Sequence, residues 1–101
     1  MTLLYSPAPS RAAAKKIARH LLKKRLIACA NIFPIESIYW WNGELTDGKE
    51  FALLAKTTAA LGKKAKKELE AVHPYEVPCV IAMQAHVNTA YGWWMKEETQ
   101  K

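Results

Sequence analysis

Along this chain the apolar positions switch between a period of two and a period near 3.6, and each switch marks an element. Thr2-Leu3-Leu4-Tyr5 is a short apolar strand, ended by Pro7 and Pro9. Ser10 is placed to cap a helix, because its hydroxyl can accept from a free N–H of the first turn. Ala14, Ile17, Ala18, Leu21 and Leu22 follow at helical spacing, with Arg11, Lys15, Arg19 and Lys23 on the opposite side. From Ile27 to Trp41 the residues become Ile, Phe, Tyr and Trp, which suit a pleated strand. Pro34 cannot donate to a ladder, so it marks an edge or a bulge.

Two pairs that tolerate positive φ then compete for the reversal, Asn42-Gly43 and Asp47-Gly48. The second is favoured, since it leaves Glu44 and Leu45 to lengthen the arm, and the next strand runs from Glu50 to Lys56. Thr57 or Thr58 caps a second helix, whose inner face is Leu61, Ala65, Leu69 and Val72 and which Gly62 weakens a little. Pro74 ends it, because the residue before a proline is pushed out of the helical region. Val77 to Gln84 is the last strand, and Asn88 caps a short helix carrying Tyr91, Trp94 and Met95 on one side.

The order β-α-β-β-α-β-α predicts a single α+β domain over residues 1–101, a ferredoxin-like βαββαβ sandwich with an added C-terminal helix. Both main helices then lie on one face of an antiparallel sheet. Tyr39-Trp40-Trp41 alternate along a strand, so at least one large ring points away from the helices. An open aromatic patch marks an interface, and the expectation is an oligomer. The alternative is that the added helix, with Trp93 and Trp94, covers the patch inside one chain.

Composition changes this picture only in detail. Half the residues are apolar and 24% charged, an ordinary globular balance. No apolar run approaches the ~20 residues that a bilayer requires, no leader-like succession opens the chain, and two cysteines fifty positions apart make no disulfide framework. A cytoplasmic protein without a membrane partner is expected. The formal charge of +6 favours acidic partners, but the cations cluster within helical patterns and read as solvated faces rather than a nucleic-acid footprint.

The candidate chemistry gathers in AVHPYEVPCVI, Ala71 to Ile81. His73 closes a helix, where carbonyl ends favour a cation, and Pro74 pins it beside Tyr75 and Glu76. It reads either as a helix cap or as a metal or ligand residue. His20, among Lys16, Lys23 and Lys24, reads as a surface histidine, and Cys29 as a small buried strand residue. No pair of histidines or cysteines has closed-site metal spacing, no nucleophile–base relay is placed by sequence, and no glycine-rich phosphate loop is present. An enzyme is not expected. The third strand, FALLAKT, lacks the glycine-aromatic signature of RNA-recognition motifs, which share this element order.

Several segments carry a resemblance. ARHLLKKRLIACANI from Ala18, SIYWWNGEL from Ser37, LAKT from Leu54 and HPYEVP from His73 resemble the CutA divalent-cation tolerance proteins across nearly the whole chain. The resemblance implies a ferredoxin-like subunit in a compact homotrimer with long hairpin arms, a cytoplasmic location and a link to tolerance of copper and other divalent cations. It implies no established enzymatic activity and no required cofactor. A trimeric signalling or small-anion-binding protein with sites in the subunit clefts is the alternative. Some bacterial members have a copper site of a strand-end cysteine and two adjacent histidines. Here those positions read Ser6 and Val72-His73, so one ligand of three remains, and a serine hydroxyl replaces a thiolate poorly. Cys79, six residues beyond His73, is a candidate to rebuild a thiolate–imidazole pair. The expected site is His73 for metal, with Ser6, Trp41, Lys56, Tyr75 and Glu76 around a ligand pocket where strand ends meet.

Overall fold

The computed structural model describes residues 1–101. Its elements are β1 (Thr2–Ala8), α1 (Arg11–Lys23), β2 (Cys29–Trp41), β3 (Glu44–Thr57), a 3-10 turn (Ala59–Leu61), α2 (Gly62–Val72), β4 (Ile81–Gln84) and α3 (Thr89–Gln100). The strands form one antiparallel sheet in the order β2-β3-β1-β4, the ferredoxin-like arrangement. Register fixes which side chains share a face. Leu4 lies opposite Ala55, and Ser6 opposite Leu53, which in turn faces Ile32. Leu4, Leu53 and Ala55 join Ile17, Leu21 and Leu69 of the helices in one buried core. The intervening residues Leu3, Tyr5, Leu54 and Lys56 point to the opposite face.

Local chemistry explains the element ends. Ser10 caps α1 by accepting from the N–H of Ala13 at 3.0 Å. The far end of α1 closes with two reversed bonds, Arg25 N–H to Leu22 O and Leu26 N–H to Leu21 O, both at 3.0 Å. Arg25 takes the left-handed conformation that glycine usually fills there, at φ 59. Its guanidinium donates to the Glu98 carbonyl and carboxylate, which ties the end of α1 to α3. Thr58 accepts from Leu61 N–H and caps the 3-10 turn, so α2 begins only at Gly62. Gly62 is therefore an entry residue rather than a weak interior one. A Cβ there would lie 2.5 Å from Thr2 Oγ1, so only glycine lets α2 approach β1 this closely.

The hairpin corrects one expectation. The reversal is at Asn42-Gly43, both at positive φ (49 and 78), and β3 begins at Glu44. Asp47-Gly48 lies inside the strand, opposite Ile38 and Ser37. Gly48 is there for space, because a Cβ would meet the Tyr39 ring at 3.3 Å. The last strand is also shorter than expected, Ile81–Gln84 rather than Val77–Gln84. Its ladder with β1 ends at Tyr5–Ile81. Beyond it Pro7 and Pro78 have no N–H to give, and the Ser6 hydroxyl donates to Cys79 O at 2.7 Å instead.

Thirteen residues of β2 at about 3.3 Å each reach roughly 43 Å, in keeping with a long axis of 45 Å. The outer half of the β2–β3 hairpin is an arm that no helix of its own chain covers. Ile38, Trp40 and Trp41 remain 74%, 71% and 65% exposed. Helix α3 packs elsewhere, against the opposite end of the sheet, where Tyr91 lies 5.5 Å from Lys56 Nζ and Met95 is buried. The added helix therefore does not cover the aromatic patch within one chain. No helix is long and apolar enough to cross a membrane.

Candidate functional site

The bend after α2 is built around His73, which is only 8% exposed. Its Nε2 lies 2.9 Å from Pro7 O, and its Nδ1 lies 3.1 Å from the N–H of Tyr75. A carbonyl can only accept and an amide N–H can only donate. The ring therefore carries its proton on Nε2 and leaves Nδ1 bare, a neutral imidazole with both nitrogens engaged. Pro74 turns the chain so that the Tyr75 ring sits 5.0 Å from the imidazole, tilted by 43°. The Tyr75 hydroxyl donates to Glu50 Oε2 at 2.8 Å. Burial first, and then the Glu50 carboxylate, push the Tyr75 phenol up to about 12, so it stays a neutral donor. One chain of contacts thus links β1, the end of α2 and β3.

This arrangement is a poor fit for a tight copper site. A metal at either nitrogen of His73 would displace the Pro7 or the Tyr75 hydrogen bond. Ser6 is buried with its hydroxyl committed to Cys79 O, and Cys79 itself is exposed. No three His, Cys, Asp or Glu side chains of this chain come close enough together to hold a metal ion.

The structure brings His73, Tyr75 and Glu76 together, with Ser6 beside the Pro7 that His73 bonds, but sets Lys56 and Trp41 apart. Glu76 is exposed beside them and forms no ion pair. Ser6 points to the helix face, across from Leu53. Lys56 and Trp41 both point to the opposite face. Measured along β3 from Glu50, Lys56 is six residues one way, and Trp41 is level with Glu44, six residues the other way. At about 3.3 Å per residue Trp41 is some 20 Å from Glu50, and Lys56 is about 13 Å along the strand from Ala52, the partner of the Pro7 that His73 bonds. The expectation that strand ends bring all of these together does not hold within one chain. The reason is the length of the hairpin, which places Trp41 at its far tip.

Lys56 has its own surroundings. It is cross-strand from Cys29, half-buried, and stacked by Tyr91, with no carboxylate partner. Burial and then the neighbouring Cys29 thiol push the Tyr91 phenol up to about 12. Two contacts carry no signal in the sequence. Glu50 reads as an ordinary strand-end acid, yet it anchors Tyr75. Glu68 joins His20 at 2.6 Å and Lys24 at 2.8 Å, clasping α1 to α2. Hydrogen bonds from Lys24 and then His20 hold the Glu68 carboxyl below the usual carboxylate range. A lone Glu among lysines gives no hint of that pairing before the helices are placed side by side.

Comparison with known proteins agrees with this architecture. The family described as CutA1 divalent ion tolerance protein matches residues 2–98. The divalent-cation tolerance protein CutA of Thermotoga maritima is 45% identical over 98 residues, which is 96% of this chain and 97% of that one. The crystal structure of CutA1 from Pyrococcus horikoshii superposes with a TM-score of 0.95 at 37% identity, covering 100% of both chains. A structure described as the PII-like protein CutA from Nostoc sp. PCC 7120 superposes at 0.89 with 28% identity, over 98% of this chain and 97% of the other. With a shared sheet order, an uncovered arm and matches along almost its entire length, this chain belongs to the CutA1 divalent ion tolerance family.

Proposed function

We propose that this protein acts in the response to copper and other divalent cations as a non-enzymatic, cytoplasmic homotrimer whose ligand sites form between subunits. The observation that carries the reading is the dispersal of the candidate residues. Trp41 stands some 20 Å from its own His73–Tyr75–Glu50 bend at the tip of an uncovered arm. A neighbour's arm can supply to a bend what its own chain cannot. Covering Trp40 and Trp41 would contribute roughly 3 kcal/mol each at about 25 cal/mol per Å², which favours self-association. Three copies is the number that family membership suggests.

Metal association in this reading is weak and strongest for copper, following the Irving–Williams order, because His73 must give up a hydrogen bond to become a ligand. The test is a copper titration against a competing chelator on the intact protein, His73→Ala and His73→Gln, with the mass of the assembly measured in parallel. Defined stoichiometry that both variants lose supports His73 as a ligand. Equal, non-saturating uptake by all three rejects metal binding at the bend. A single-chain mass at micromolar concentration rejects the subunit clefts.

One observation favours the second reading, a signalling or small-anion-binding trimer. Lys56 offers a cation without a carboxylate partner against the Tyr91 ring. Saturable binding of an anionic metabolite that Lys56→Ala abolishes, with no effect of metal on stability, would select it.

A further inference from the structure

Charge is divided unevenly between the two sides of this molecule. Residues 11–25 hold seven lysines and arginines and no acid, and residues 62–72 hold four lysines against Glu68 and Glu70. The helix layer therefore carries a formal +9. The remainder, with four cations against seven acids, carries −3, which together give the +6 of the whole chain. As isolated sequence runs these are solvated helix faces. Folding sets them side by side on one surface, because α1 and α2 cover the same face of the sheet and Glu68 joins them to each other.

Pairing within the layer leaves most of that charge free. Glu68 is taken by His20 and Lys24, Glu70 by Lys66, and Arg25 turns away to Glu98. Lys15, Lys16, Arg19 and Lys23 on α1, and Lys63, Lys64 and Lys67 on α2, are exposed and have no acidic partner. Lys15, Arg19 and Lys23 recur every fourth residue, about 6 Å apart along the helix axis, while Arg11, the first of the series, lies over the Phe51 ring at 4.7 Å. Beside that series is a shallow depression of about 460 Å³ lined by Ala12, Lys15, Lys16, Arg19, His20 and Lys23.

We propose that this helix layer docks the phosphate backbone of a nucleic-acid duplex without sequence preference. Three features select this occupant among polyanions. Neither helix carries a phenylalanine, tyrosine or tryptophan, so there is no platform on which unpaired bases could stack. No large apolar side chain of either helix is exposed, so a lipid surface would meet no residue that could insert and anchor. Regularly spaced cations are what remain, and a duplex presents about one negative charge per 1.7 Å of its axis. Contacts of that kind position a protein on a backbone and read no bases. The helix layer is on the opposite face from the uncovered sheet, so it stays outward if that face is covered by neighbouring subunits. Several copies would then offer several patches to one duplex and add avidity. Docking of this kind requires neither assembly nor metal.

The test is fluorescence anisotropy of two labelled 20-base-pair DNA duplexes of unrelated sequence, from 25 to 200 mM salt. The proteins are the intact chain, Lys15→Glu/Arg19→Glu, Lys63→Glu/Lys67→Glu, and a Lys49→Glu/Lys96→Glu control remote from the layer. Circular dichroism checks folding, and the two helix variants alter separate elements, so failure of one leaves the other to report. Expected is equal affinity for both duplexes, with a slope of log K against log salt of about −4 to −6 for four to seven phosphates. Each helix variant should bind at least tenfold more weakly at 50 mM salt, and the control should change less than twofold. Absence of saturable binding at 25 mM salt overturns the proposal, as does indifference to charge reversal. Binding to phosphatidylserine vesicles as tight as to the duplexes overturns it in favour of a lipid surface.

Discussion

The two halves of β3 are one continuous strand with opposite fates. Phe51–Thr57 pairs with β1 on one side and β2 on the other, and it supplies Leu53, Ala55 and Thr57, none of them accessible to solvent. Glu44–Glu50 pairs with β2 alone, and Leu45 is left 66% exposed. Hydrophobicity does not separate them, since Leu45 is the same residue as Leu53. What differs is the reach of the neighbours. β1 stops at Ala8, opposite Phe51, and the helices that pack over the sheet stop with it. An apolar residue on a strand says that a surface benefits from being covered. Whether its own chain does the covering is set by the lengths of other elements.

Leu53→Ala against Leu45→Ala tests this contrast most severely. Loss of Leu53 should cost about 2–5 kcal/mol by urea unfolding. Leu45→Ala should stay within about 0.5 kcal/mol for a single chain, and comparable losses at the two positions would erase the distinction. His73→Ala comes next, at about 2–3 kcal/mol, since it leaves Pro7 O without its buried donor and opens a void. Tyr75→Phe removes one exposed bond to Glu50 and should cost about 0.5–1 kcal/mol. Trp40→Ser/Trp41→Ser should hardly move the unfolding of a single chain, yet reduce any self-association seen by sedimentation.

The smallest effect concerns the clasp between the helices. Because Glu68 is held below the usual carboxylate range, its contribution is fully present above the unfolded pKa of about 4.3. It fades as pH falls through the lowered folded value. Thermal midpoints from pH 3 to 7 should therefore show a slightly steeper acid decline in the intact protein than in Glu68→Gln. Parallel profiles would remove Glu68 from the acid response.

The sequence conveyed the fold well because each element carries its own local instructions. Ser10 caps α1, Pro74 ends α2, and the residues with helical spacing in α1 are the buried ones. It conveyed the hairpin reversal poorly, because Asn42-Gly43 and Asp47-Gly48 look equivalent until Tyr39 is placed against Gly48. The site was half legible. His73 beside Pro74 and Tyr75 is a local pattern and is found together in space. Glu50, Glu68 and the separation of Trp41 and Lys56 from the bend depend on strand register and helix adjacency, which no short stretch encodes.

The uncovered arm also has a consequence for the protein's life before it meets any partner. A newly made chain can complete its core while Ile38, Trp40 and Leu45 still face water on a two-stranded ribbon. Such a ribbon templates clumping in a crowded cell. Charges are interleaved along it, with Glu36 opposite Lys49, Asp47 opposite Ile38 and Glu44 opposite Trp41. Single-sign or neutral replacement of these residues should shorten the time for which freshly synthesised chains stay dispersed, without altering the finished fold. In the proposed assembly the charged residues of the arm would act before its burial between subunits, and the aromatics after it.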